Sequence, residues 1–67
     1  MELVNHLKII RFSNGQITQD ELAKAVEVSR QTIISIEKGK FNPSVKLALR
    51  IADHFDCKVE DIFTLNK

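Results

Sequence analysis

Ser29 to Lys40 reads SRQTIISIEKGK. The serine at its head carries an oxygen that accepts from the first unpaired amides of a helix, and Gly39 is a residue that ends one in the left-handed region. The stretch is therefore predicted as a short helix from Ser29 to about Lys38. Turning each residue by about 100° around the axis separates two faces. Ile33 and Ile36, with Thr32 beside them, fall on one side, and Arg30, Gln31, Ile34, Ser35 and Lys38 gather on the other. The isoleucines are suited to anchor the helix against a core. The opposite face offers hydrogen-bond donors at its start, charge at its end and one apolar misfit, Ile34. That residue fits ordinary surface, a thymine methyl in a major groove, or contact with another protein.

Upstream, TQDE at residues 18–21 is a capping box, in which Thr18 and Glu21 satisfy each other's amide donors. Leu22, Ala23 and Val26 supply the inward face of a very short helix, and small Ala23 lets a neighbour approach. Only EVS separates this helix from the next, and neither is long enough to be stable alone. Such a pair, braced by other helices, is the plan of a helix-turn-helix reader. Downstream, FNPS turns the chain and Ser44 caps VKLALRIADHF, with Val45, Ala48, Ile51, Ala52 and Phe55 expected inward and Leu47 flanking them. VEDIF is expected to dock Val59, Ile62 and Phe63 as a short closing helix. At the other end, Leu3 to Phe12 shows Val4, Leu7 and Ile10 or Arg11 at helical spacing, and stops in SNGQI, where Asn14 and Gly15 tolerate a left-handed backbone. Strict alternation is scarce. The expected fold is all-α, a compact five-helix bundle with no sheet.

The 67 residues fit one domain, 1–67, near the lower size at which an apolar core folds without a metal or disulfide. An apolar fraction of 43% against 28% charged residues argues for a folded globule. Cys57 is the only cysteine, which rules out an internal disulfide. The start, MELVNHLKII, lacks the layout of a secretory signal and no stretch is long and apolar enough to span a membrane, so a cytoplasmic location with no membrane partner is expected. A net charge of +1 conceals an uneven distribution. Residues 1–28 sum to −1, residues 29–50 to +4 and residues 51–67 to −2. The middle segment sets Arg30, Lys38, Lys40, Lys46 and Arg50 against Glu37 alone, a pattern that becomes a nucleic-acid footprint if folding brings these groups to one side.

The run ITQDELAKAVEVSRQTIISIEKGKFNPSVKLALRIADHFDCKVEDIF, Ile17 to Phe63, resembles the phage Cro/CI-type helix-turn-helix family, also called the xenobiotic-response-element (XRE) family. TQDELA, VSRQTI, IEKGK, NPS and LALRIA in that order carry the resemblance, and Leu3 to Gly15 resembles the family's first helix. The resemblance implies a lambda-repressor-like DNA-binding domain acting as a transcriptional regulator, often a repressor, that works as a homodimer on a palindromic operator. By it, Arg30 and Gln31 fall at the base-reading start of the recognition helix and Ser35 at its further base-facing position, with Ile34 between them. Gln19 corresponds to a phosphate-contacting glutamine, and Lys40 and Asn42 lie in a loop that approaches phosphates, near Lys38. Glu37 matches an acid that pairs with an arginine of the first helix, here Arg11. The chain departs from the pattern at Glu27 and Asp56, where glycine is usual, at Lys58, where Ser or Thr usually caps the last helix, and in a first loop one residue longer than the common pattern.

The resulting expectation is a sequence-specific double-stranded DNA-binding regulator that reads the major groove with residues 29–38. The alternative is a protein-interaction module, such as the antitoxin of a toxin–antitoxin pair that also regulates itself. No nucleophile–base–orienter trio or glycine-rich phosphate loop appears, so no enzyme activity and no cofactor are expected. His6, His54 and Cys57 do not make a four-ligand zinc site; His54 fits surface and Cys57 a partly buried apolar position.

Overall fold

The computed structural model describes residues 2–66, and its element order is β1 (Glu2–Asn5), α1 (Leu7–Ser13), α2 (Gln19–Ala25), α3 (Arg30–Glu37), α4 (Val45–His54), α5 (Val59–Ile62) and β2 (Phe63–Asn66). One apolar cluster joins all five helices. Leu7, Leu22, Ile33, Ile51 and Ile62 are wholly buried, and Ala23, Val26, Ile36, Leu47, Ala48, Ala52, Phe55 and Phe63 fill the space between them. Side chains from every helix thus remove one another from water, which is what stabilises segments of four to ten residues that would not persist singly.

The caps explain where the helices begin. Thr18 Oγ1 accepts from the Glu21 amide at 3.0 Å while the Thr18 amide donates to Glu21 Oε1 at 3.1 Å. Ser29 Oγ accepts from the Thr32 amide, and Ser44 Oγ from the Leu47 amide. At α5, Lys58 supplies no side-chain acceptor; instead its own amide donates to Asp61 Oδ2 at 2.9 Å, so the acid on the helix replaces half of the missing cap. Glu27 and Asp56 stand in the left-handed region with φ of 62° and 52°, so these non-glycine residues adopt the turns that glycine usually makes. The longer first loop closes through two successive residues of positive φ, Gly15 and Gln16.

The expectation of no sheet is corrected by β1 and β2. They pair antiparallel, with Glu2 opposite Asn66, Leu3 opposite Leu65, Val4 opposite Thr64 and Asn5 opposite Phe63. The first helix consequently begins at Leu7 and not at Leu3, and Phe63 opens a strand instead of closing α5. Val4, Leu7 and Ile10 do have helical spacing. The backbone of residues 2–5 instead finds its partners some sixty positions away, a pairing that local periodicity cannot register. The His6 amide continues the link by donating to the Ile62 carbonyl at 2.7 Å. Leu3 and Leu65 share a face with buried Phe63, but the sheet runs past the core and leaves both leucines exposed.

A second correction concerns α4. Ala48, Ile51, Ala52 and Phe55 point inward as expected, whereas Val45 is 77% exposed and Leu47 is buried. Val45 and Leu47 flank the inward stripe by similar angles on opposite sides. The neighbouring elements cover only the Leu47 side.

Candidate nucleic-acid interface

Close contact between α2 and α3 sets up the candidate interface. Ala23 and Val26 are buried where the two helices meet, and after Glu27 reverses the chain the Val28 amide donates to the Ala23 carbonyl at 3.0 Å. Ile33 and Ile36 then fasten α3 to the core with 0% and 1% exposure. This leaves Arg30, Gln31 and Lys38 exposed on the outward face, with Ile34 and Ser35 half-buried beside them. Lys40 and Asn42 are exposed in the loop that follows. Its entry is shaped by Gly39 at φ 74° and by the Lys40 amide donating to the Ser35 carbonyl. Asn5 Nδ2 donates to the Ile36 carbonyl at 2.9 Å, pairing one of the last carbonyls of α3 from the sheet side.

Beneath this face, Arg11 and Glu37 meet across α1 and α3. The guanidinium donates through Nε to Glu37 Oε2 at 2.6 Å and through its second terminal nitrogen to Oε1 at 3.0 Å. Its remaining terminal nitrogen donates to the Ile17 carbonyl at 2.7 Å. Both side chains are more than nine-tenths buried. Gln19 Nε2 adds a 3.1 Å bond to Glu37 Oε1, which fixes the start of α2 against the end of α3. The electrostatic result is specific. Glu37, the only acid of residues 29–50, is neutralised by a cation from α1, and among the described residues Arg30, Lys38, Lys40, Lys46 and Arg50 make no ion pair. The basic balance of that segment therefore reaches the surface uncancelled.

Two shallow depressions flank α3. One is bounded by Ser29, Gln31, Thr32, Ser35, Lys40 and Phe41. The other lies towards α1 and α2, with Lys8, Phe12, Gln19 and Arg30 on its walls and the Arg11–Glu37 pair in its floor. The structure thus brings Gln31, Ser35 and Lys40 together on one side and Gln19 and Arg30 on the other, with Asn42 further along the loop. Lys8, Phe12, Asn5 and Phe41 escaped the sequence reading. For Lys8 and Phe12 a signal existed, since positions 8, 11 and 12 share one side of a helix.

Other chemistry-bearing groups do not converge. Among the described residues no three His, Cys, Asp or Glu side chains lie close enough to hold a metal ion, and no helix is long and apolar enough to cross a membrane. Cys57 is half-buried, and burial together with the nearby Asp61 and Asp56 carboxylates pushes its thiol above the ordinary range.

A helix-turn-helix family model matches residues 14–62, which include α2, α3, α4 and α5 whole. An HTH-type transcriptional regulator of Methanocaldococcus jannaschii is 58% identical over 59 residues, covering 88% of each chain. The HTH-type transcriptional regulator YgzD of Bacillus subtilis is 43% identical over 63 residues, covering 94% of each. One from Archaeoglobus fulgidus is 57% identical over 51 residues, covering 76% of this chain and 72% of its own. With its paired short helices, its outward polar face and these relatives, the chain belongs to the Cro/CI-type (XRE) helix-turn-helix family of DNA-binding transcriptional regulators.

Proposed function

We propose that this protein is a cytoplasmic repressor that binds a palindromic operator as a homodimer, each copy a single domain that places α3 in the major groove. The observation that carries the reading is the outward face of α3, whose cations make no ion pair among the described residues, since Arg11 takes up Glu37 and Lys24 takes up Asp20. In this reading Arg30 and Gln31, at the entering end of the helix, test base edges by bidentate bonds, Gln to adenine and Arg to guanine, each worth about 1–3 kcal/mol of discrimination. Ser35 tests a further edge and Ile34 meets a thymine methyl. Gln19, Lys38, Lys40 and Asn42 hold phosphates, which positions the helix without choosing a sequence.

The reach of α3 supports two copies. Each copy has one groove-entering helix, α3, whose eight residues span only about 12 Å, against the roughly 34–36 Å that separates successive half-sites on one face of the duplex. A dimer with two-fold symmetry matches a palindrome, and occupancy of an operator within a promoter blocks transcription.

Selection from a random duplex pool tests the reading, and an enriched motif with two related halves is expected. Gln31→Ala should relax preference at one or two positions per half, whereas Lys40→Ala should weaken all sequences alike. Recovery of no motif at low and moderate salt would refute sequence-specific regulation.

A further inference from the structure

We propose that Lys8 of α1 joins Gln19, whose phosphate contact belongs to the reading above, in seating one DNA phosphate on the α1 and α2 side of α3, opposite the Lys40 side. The inference rests on the reading that α3 enters the major groove of duplex DNA, and it adds a residue of α1 to the contact surface.

The observation behind it is the depression bounded by Lys8, Phe12, Gln19 and Arg30. Its floor is electrically quiet, because Arg11 and Glu37 neutralise each other there at 2.6 Å. Asp20, the remaining acid at the rim, is drawn away by Lys24 at 3.2 Å, one turn along α2. What remains is positive. Among the described residues Lys8 and Arg30 have no acidic partner, and an ammonium supplies three donors with no acceptor of its own.

Two neighbours fix the seat. Phe12, half exposed on α1, lies under Lys8, whose Nζ is 5.9 Å from the ring centroid. That cation–π contact, on a ring that Arg11 also approaches at 5.2 Å, biases the lysine towards the depression by roughly two- to fivefold. Gln19 Nε2 spends one hydrogen on Glu37 Oε1 at 3.1 Å, which orients the amide and leaves its second hydrogen for an outside acceptor. A phosphodiester presents two unbridged oxygens and a single negative charge. One oxygen suits the Lys8 ammonium and the other the Gln19 amide, with the Arg30 charge on the far wall adding attraction.

Position makes DNA the favoured source of that phosphate. A helix lying in a groove about 12 Å wide has a sugar–phosphate strand on each side. Lys40 and Asn42 serve one strand; Lys8 and Gln19 serve the other.

The test compares wild-type protein with Lys8→Gln and Lys8→Arg by fluorescence anisotropy on selected and random duplexes between about 50 and 200 mM salt. Circular dichroism melts confirm that the variants are folded. For Lys8→Gln we expect equal weakening on both duplexes, the same enriched motif, and a loss of affinity across that salt range about threefold smaller than wild type, the signature of one phosphate contact removed. Lys8→Arg should restore most of the affinity. Wild type that binds duplexes with salt-dependent affinity, beside a Lys8→Gln variant of unchanged affinity and salt slope, would overturn the seat and leave the groove-reading function standing. A changed motif in Lys8→Gln would also overturn it, by making Lys8 a base reader. Wild type that binds no duplex would overturn the function itself, and the seat with it.

Discussion

Replacing Glu37 by glutamine removes one charge at almost constant shape and leaves Arg11 ionised in a nearly dry site. Arg11 donates three bonds, two to Glu37 and one to the Ile17 carbonyl, and both partners of the pair are more than nine-tenths buried. Breaking a buried pair from one side costs roughly 3–5 kcal/mol, because the surviving charge keeps its desolvation penalty without its counter-charge. A 67-residue domain at typical stability per residue holds about 3–10 kcal/mol in total, so this one change removes a large share. With a urea slope near 1 kcal/mol/M, the unfolding midpoint of Glu37→Gln should fall by roughly 3–5 M. The double variant Arg11→Met/Glu37→Leu removes both charges, and should recover most of the loss. It should remain somewhat below wild type, because the Ile17 carbonyl and the Gln19 amide lose their partners. Urea unfolding followed by circular dichroism measures Glu37→Gln beside the four proteins of a cycle: wild type, Arg11→Met, Glu37→Leu and the double variant. A Glu37→Gln midpoint within about 0.5 M of wild type, with no coupling in the cycle, would show that water reaches the pair and that the reasoning is wrong.

Glu27→Gly and Asp56→Gly should each raise the melting temperature by a few degrees. At φ of 62° and 52° a side chain costs about 1–2 kcal/mol that glycine avoids, and the greater freedom of glycine in the unfolded chain offsets part of that gain. Glu21 accepts from the Thr18 backbone amide and bonds also to the Thr18 side chain, which together hold its carboxyl below the ordinary value despite the nearby Asp20. A depressed native pKa gives a contribution that is full above the unfolded value and disappears as pH falls through the native one. Glu21→Gln should therefore show a smaller acid-induced loss of stability through the carboxylate range in thermal melts. For assembly, sedimentation at micromolar concentration should find Leu49→Glu monomeric and Leu65→Glu still dimeric. The α4 pair Val45 and Leu49 is 77% and 55% exposed, against 39% and 55% for Leu3 and Leu65 of the sheet; the rival contact expected from the sequence is the exposed part of DIFTLNK, whose Phe63 is committed to the core and whose Lys67 lies outside the described residues. The reverse result would place the contact on the sheet.

Residues with local consequences were the legible ones. Thr18, Ser29 and Ser44 announce helix starts because a cap acts within three residues of itself, and the division of α3 into an isoleucine side and a polar side follows from its helical repeat. What stayed hidden depends on distant neighbours. The strand at residues 2–5 exists only because residues 63–66 lie beside it, and Val45 and Leu47 are equivalent until the other helices choose one. The Arg11–Glu37 juxtaposition, 26 positions apart, was suggested by family resemblance and not by any spacing in the chain. At Glu27 and Asp56 the sign of a left-handed backbone came from the family resemblance, which has glycine there, and not from the residues themselves, whose side chains disfavour it; tertiary contacts impose it. Lys8 and Phe12 could have been paired by their four-residue separation, but nothing local linked them to Gln19.

The strand pair between residues 2–5 and 63–66 has a practical corollary. Among the described residues each strand is the other's only partner in the ladder, so severing residues 2–5 strips hydrogen bonds from residues 63–66, and the reverse. A protease cut near Asn5 and one near Thr64 should loosen the same corner of the molecule. A covalent link between residues 2 and 66, which face each other in the ladder, would fasten that corner without touching α2 or α3.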